Sequence, residues 1–217
     1  VPEKLVQILV FLPLLLLALS AHEAAHAWAA WRLGDSTAKE QGRLSLLPFG
    51  HLDPIGSVLL PLGLALLQAP FLVGYAKPTP VDPGRLQPSK AGFSLVALAG
   101  PLGNLLLGLL LSLLGLLLFR GLGLESAAGR ELLGAAILVN TVLATLNLLP
   151  LPGFDGLKAL YVLLPDEWCW RLHRGEGWFL PVLVVAAWLQ ILDAALWPGL
   201  WLGQELCGLA GVPTPLF

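Results

Sequence analysis

Ser20-Ala21-His22-Glu23-Ala24-Ala25-His26-Ala27-Trp28 is the stretch from which the rest of the chain can be read. It is a His-Glu-x-x-His pattern inside an apolar run. On a helix, positions i and i+4 lie on one face, one turn apart. His22 and His26 can then point imidazole nitrogens at a single metal ion. Glu23, about 100° round the helix, stands beside the pair within reach of a metal-held water. Zinc suits such a site, because it brings the pKa of its water to about 7 and polarises a carbonyl. Between Lys4 and Arg32, Glu23 is the only Asp, Glu, Lys or Arg. A charge at membrane depth is costly, so packing alone does not explain the trio.

Composition supports a lipid setting. Of 217 residues, 57% are hydrophobic and only 12% charged, and the mean hydropathy is +0.81. The net charge of −2 offers no basic face for nucleic acid. Cys169 and Cys207 are too few for a disulfide framework or a zinc ribbon and read as free thiols. The first apolar run holds the metal motif and is too long for the core of a signal peptide, so it reads as a retained helix.

The apolar runs set out an all-α polytopic membrane protein, a helical bundle in one domain over 1–217 with its core at 5–164. Residues 5–31 are long enough to cross a bilayer with some tilt, with a bend expected at Pro13. Gly34 and Asp35 end that helix. Clear spans follow at 93–119 and 131–149, and further apolar runs at 178–197 and 199–210 make a C-terminal membrane segment. Between the first two spans, 55–73 is apolar but broken by Pro61, Gly63 and Pro70, so it either spans or dips in and returns. Gly74-Tyr75-Ala76-Lys77-Pro78-Thr79-Pro80-Val81 reads as extended, since residues before proline avoid the helical region.

Two histidines leave zinc short of its usual three protein ligands. Asp155 is the best third. It lies in the break Asn147-Leu148-Leu149-Pro150-Leu151-Pro152-Gly153-Phe154-Asp155-Gly156, and irregular backbone at membrane depth must be buried in protein or line a cavity. The competing reading is that Asp155 caps a helix starting at Gly156. As a ligand, Asp155 must return to the side of the membrane where the histidine helix ends. It does so only if 55–92 enters and leaves on one side. That re-entrant path puts Arg32, Lys39, Arg43, Lys77, Arg85, Lys90, Lys158, Arg171 and Arg174 together, nine of twelve basic residues. A fully spanning path splits them five to seven. By the positive-inside rule the re-entrant path wins, and the metal site lies nearer the cytosolic face.

With these motifs the chain resembles the site-2 protease family of intramembrane zinc metalloproteases. The resemblance rests on His22-Glu23-x-x-His26, Gly74-Tyr75-Ala76-Lys77-Pro78, Ala99-Gly100-Pro101-Leu102-Gly103-Asn104 and the 147–156 break. Gly50-His51-Leu52-Asp53-Pro54-Ile55-Gly56 is similar to the compact subgroup without PDZ or CBS domains. Phe154 departs from the leucine usual before Asp-Gly. The resemblance implies that His22, His26 and Asp155 bind one Zn2+, that Glu23 is the catalytic base, and that the substrate is a transmembrane segment of another protein. It also implies a prokaryotic cell membrane. Residues 74–78 are expected to receive the unwound substrate as an added strand, although prolines also mark plain loops. Asn147 or Asn104 is expected to donate to the oxyanion, with hydrogen bonding between helices as the other reading. Gly100, Gly103 and Gly108 are expected to let helices approach closely.

His51 and Asp53 read as interfacial caps or as outer partners of the site. Asp193 is a lone charge in an apolar run, His173 a loop residue, and the tryptophans interface anchors. Two alternatives stand beside a protease: a membrane metal-ion transporter, and a non-proteolytic binder of membrane segments. A transporter should carry ligands on successive helices, and an inactive binder has no need of Glu23.

Overall fold

The computed structural model describes residues 3–66, 74–178 and 190–215, together with Pro181, Leu183, Val185 and Ala186. The main helices are α1 (Glu3–Arg32), α4 (Ser89–Gly115, prolonged by a π-helical turn at Leu116–Gly121), α5 (Ala127–Asn147) and α8 (Ile191–Ala210). Shorter pieces are α2 (Thr37–Glu40), α3 (Leu60–Leu66, after a π-helical turn at Pro54–Leu59), α6 (Asp155–Ala159) and α7 (Asp166–Arg174). Three stretches are long and apolar enough to cross a bilayer: Val10–Arg32, Ser89–Gly121 and Ala127–Asn147. The protein is an all-α polytopic membrane protein, and among the described residues no strand forms.

Helix α4 shows how the sequence sorts its faces. Gly100, Asn104, Gly108, Ser112 and Gly115 recur at helical spacing and are buried. Leu102, Leu106, Leu110, Leu113 and Leu117 recur on another face and are exposed. Lipid solvates leucine as well as a protein core does, so helices associate through small and polar residues instead. The exposed leucines are therefore the lipid-facing surface, and the glycines and Asn104 are the contact surface.

The described ends of the connection between α1 and α4 lie together. The N–H of Gln87, just before α4, donates to the carbonyl of Leu33, just after α1, at 3.0 Å. The connection 33–88 thus leaves and returns at one end of the bundle. Gly34 makes the turn with φ +104°, and a side chain there would press on the Arg85 carbonyl at 3.1 Å. Buried Asp35 ties the two ends: its carboxylate accepts from Thr37 N and Oγ1 and from Asp82 N. Burial pushes the Asp35 carboxyl up, but these hydrogen bonds, with Arg85 nearby, hold it below its ordinary range. Farther in, Tyr75 N–H donates to Gly56 O at 3.0 Å, so the outgoing and returning limbs of the connection meet.

Two expectations change in detail. Helix α5 begins at Ala127, ahead of the expected 131, because Ser126 caps it by accepting from Gly129 N at 3.1 Å. The expected break between 197 and 199 does not occur. Pro198 lies inside α8, which runs on to Ala210, while much of the expected 178–197 run lies outside the described residues. Asp193 consequently sits exposed in the first turn of α8, where a carboxylate favours the helix dipole. Pro13, where a bend is expected, lies inside α1. Asp53 is a cap, accepting from Ile55 N and Gly56 N. Buried His51 pairs its Nε2 with Ser45 O, and its carbonyl accepts from Lys77 N. Exposed Trp28 and Trp168 carry Arg32 and Arg171 over their rings at 5.6 Å, in keeping with interface anchors.

Helix α8 lies antiparallel to α5. Gly199 faces Thr145 and Thr141, Gly203 faces Thr141 and Leu138, and buried Cys207 faces Gly134 O. Arg120 and Arg130 donate to the carbonyls of Gly208 and Gly211 at its C-terminus, where cations suit the dipole. A Cβ at Gly199 would lie 2.8 Å from the backbone carbonyl of Thr141, whereas one at Gly208 meets nothing within 4 Å. Gly199→Ala should therefore destabilise the detergent-solubilised protein by about 1–3 kcal/mol. Gly208→Ala should leave stability unchanged or slightly higher. Thermal unfolding of both variants checks this, and equal effects would reject the contact.

Candidate metal centre and its cleft

Helical spacing on α1 brings His22 and His26 together, their rings edge to face with centroids 4.6 Å apart. Asp155 opens α6, but no side chain caps that helix. Its Oδ2 instead lies 2.9 Å from His22 Nε2 and 3.1 Å from His26 Nε2, and the two Nε2 atoms are 3.0 Å apart. The capping role weighed for Asp155 is thus not what the structure shows. The other oxygen, Oδ1, faces Lys158 Nζ at 3.8 Å. Gly156 makes the placement possible, because a side chain there would overlap the carbonyl of Leu148.

Each imidazole is oriented from behind. His22 Nδ1 lies 2.7 Å from Asn104 Oδ1, and His26 Nδ1 lies 2.7 Å from Val96 O. Both partners are acceptors, so each Nδ1 carries a proton and each Nε2 is the nitrogen left to offer a metal ion its lone pair. Two imidazole nitrogens and a carboxylate oxygen this close need a proton or a metal ion shared among them. Tetrahedral zinc with ligands at about 2.0–2.1 Å needs them about 3.3 Å apart, within a few tenths of the spacing found. The donor set therefore fits a divalent cation of zinc's size and preferences. Gly100 is the floor of this site: a Cβ there would overlap His26 Nε2 and lie 2.6 Å from His22 Nε2. Its close approach serves the imidazoles, whereas Gly103 packs on Ala25 and Gly108 makes only ordinary contacts.

His22, Glu23 and His26 offer ligand atoms within 4.8 Å of one another. Glu23 is nonetheless turned aside: its Oε2 accepts from the backbone N–H of Thr79 at 2.7 Å, and its carbonyl accepts from Thr79 Oγ1 at 3.0 Å. That leaves Asp155 as the third donor facing the histidine nitrogens. The cleft over these groups encloses about 470 Å³, and its wall includes Ala76, Thr79, Phe93, Leu143, Asn147 and Phe154.

The 74–78 segment is extended and held along one edge. Tyr75 N–H donates to Gly56 O, Lys77 N–H to His51 O, Ser57 Oγ to Tyr75 O and Arg43 Nη1 to Lys77 O. Among the described residues nothing pairs with the N–H or C=O of Ala76, whose residue lines the cleft with Gly74, Tyr75 and Pro78.

The two asparagines part company. Asn147 lines the cleft and spends one donor on Leu143 O. Asn104, expected as an oxyanion donor, has no N–H to offer: Nδ2 donates to Ala18 O and to Asn140 Oδ1, both at 2.9 Å. Its place is behind His22, on the side away from the cleft. Thr79 and Asn140 escaped the sequence reading. Thr79 reaches the Glu23 carboxylate through its main chain, which residue identity does not reveal. Asn140 carried a signal, as a polar residue within an apolar helix.

The chain is 35% identical over 196 residues to the "Putative zinc metalloprotease YwhC" of Bacillus subtilis, covering 88% of this chain and 85% of that protein. It is 39% identical over 152 residues to the Mycobacterium tuberculosis protein Rip2, which carries the same description, covering 70% of this chain and 56% of Rip2. Rip2 of Mycolicibacterium smegmatis is 31% identical over 192 residues, covering 78% of this chain and 63% of that protein. No protein-family model and no solved structure matches the chain. Similarity to YwhC over nearly the whole of both proteins, with His22, Glu23, His26 and Asp155 gathered in one apolar bundle, establishes that the chain belongs to the site-2 protease family, a family of zinc metalloproteases.

Proposed function

We propose that the protein is a zinc-dependent endopeptidase that cuts transmembrane segments of other membrane proteins within the bilayer. The observation that carries this reading is the meeting of His22, His26 and Asp155 side chains beside Glu23, in a cleft bordered by an unpaired extended segment. The relatives named as zinc metalloproteases support zinc as the ion. His22 Nε2, His26 Nε2 and Asp155 Oδ2 would hold it, and there it would supply a Lewis acid that acidifies water and polarises the scissile carbonyl.

The chain's own residues do the rest. A peptide bond in a transmembrane helix is shielded by its own hydrogen bonding and must be unwound before it is cut. The open N–H and C=O of Ala76 offer the unwound stretch a main-chain partner, while Tyr75 and Lys77 anchor the receiving segment from its other edge. Such pairing reads backbone and demands little of the sequence. Glu23 has Oε2 fixed by Thr79 and its second oxygen without a partner among the described residues. That second oxygen takes the proton of the attacking water and returns it to the leaving amine. Asn147, with one N–H committed to Leu143 O, has a second to offer the developing oxyanion. Among the described residues the group around His22, Glu23 and His26 is the one cluster suited to a metal, whereas a transporter would need a succession of them.

The nine basic residues at the metal end support an orientation with the site nearer the cytosol in a prokaryotic cell membrane. Arg120 and Arg130, at the far end of α8, lie on the opposite side.

Three measurements test this reading. Glu23→Gln should keep zinc near one per chain yet lower cleavage of a test transmembrane segment by about 10²–10⁴-fold; parent-like cleavage would reject Glu23 as base. Gly100→Ala should lose bound zinc while helical content persists, and Gly108→Ala should keep it. Zinc retained in the Gly100 variant would show that the ion is held elsewhere. In a cysteine-free background, a cysteine at Arg171 should be labelled from the cytosolic side and one at Glu125 from the other. Labelling of both from one side would overturn the orientation.

A further inference from the structure

We infer that Asn140, on α5, is a positioning residue for the metal centre: acting through Asn104, it determines which nitrogen of His22 carries the proton. The inference rests on the reading of His22, His26 and Asp155 as zinc ligands. His26 needs no such help. Its Nδ1 faces the main-chain carbonyl of Val96, which can only accept. His22 faces an amide side chain, and an amide can turn over. With oxygen toward His22, Asn104 accepts from Nδ1–H and leaves Nε2 as a lone pair for the cation. With nitrogen toward His22, it donates to Nδ1, the proton moves to Nε2, and the ligand is lost.

The direction is set on the far side of Asn104. Its Nδ2 meets two acceptors, Ala18 O and Asn140 Oδ1, each at 2.9 Å. Turning the amide over would face its oxygen with both. Asn140 is itself oriented, because its Nδ2 donates to Ala136 O at 2.9 Å, one turn back on the same helix. The polarity therefore runs from a main-chain carbonyl of α5 through Asn140 and Asn104 to His22, across three helices. His22, Asn104 and Asn140 are all at most 4% exposed, so water does not substitute for a missing member. Without Asn140 a single carbonyl, that of Ala18, holds the amide, and the hold weakens.

The test uses the full chain in detergent micelles with isotope-labelled histidine, whose nitrogen shifts distinguish the tautomers, and zinc competition against a chromogenic chelator. In zinc-free parent protein His22 should be protonated at Nδ1. Asn140→Ala should populate the Nε2-protonated form and weaken zinc binding about 10–100-fold. Asn140→Asp keeps an acceptor facing Asn104 Nδ2 and should match the parent. An Asn140→Ala protein with the parent's tautomer and affinity overturns the inference. So does a folded Asn140→Asp protein that loses zinc. A parent that binds no zinc overturns the ligand reading, and the tautomer shift, measured without metal, still decides the relay.

Discussion

Everything in this molecule is arranged so that one carboxylate oxygen can stand about 3 Å from two imidazole nitrogens separated from it by more than a hundred residues. In a membrane that demand is topological before it is chemical. The histidines lie toward the C-terminal end of α1, and Asp155 follows α5. Between them α4 and α5 make one return trip, so the intervening connection must not add a crossing. The hydrogen bond from Gln87 to Leu33 and the clasp of Asp35 on Asp82 are the places where the chain enforces this.

The same demand explains why so irregular a stretch is tolerated between α1 and α4. Backbone groups away from water must find partners inside the protein. Here Asp53 caps the turn at 54–59, Gly56 and His51 carbonyls receive Tyr75 and Lys77, and Thr79 is spent on Glu23. A ring against Gly56 fills what a side chain would occupy, since a Cβ there would overlap Tyr75. With the neighbours on either side of it paired, Ala76 is the residue of this stretch whose N–H and C=O have no partner among the described residues.

How far the sequence discloses this depends on whether a residue acts through its type or through its surroundings. His22, Glu23 and His26 are legible because helical spacing alone places them on adjoining faces. Asp155 is legible by counting donors, and its return to the end of the bundle where α1 finishes by the distribution of lysines and arginines. Asn104 is half legible: a buried amide among leucines is conspicuous, but whether it shows oxygen or nitrogen to its neighbour depends on Asn140 and Ala18, which no local pattern connects to it. Thr79 is not legible, because any residue with a main-chain N–H could supply the bond to Glu23 Oε2. The continuous α8 was hidden by Trp197-Pro198-Gly199, which has the composition of a break. Gly199 is there because Thr141 and Thr145 leave no room for more, and Pro198 is carried inside the helix.

The glycines of α4 connect packing to chemistry. Gly103 permits the usual close approach of two helices, against Ala25. One turn earlier on the same face, Gly100 approaches the metal-facing nitrogens themselves. The imidazoles are thus part of the α1–α4 contact as well as candidate ligands, and Asn104 and Val96 of the same helix hold them from behind. A cation placed among the three donors would tie α1 to the segment after α5 while α4 fixes the rings that grip it. Metal binding and helix association then share one set of contacts, and an ion that binds only the assembled bundle stabilises it by mass action. A membrane protein has little apolar driving force between its helices, so a centre that draws three segments together would hold the fold as well as a metal ion.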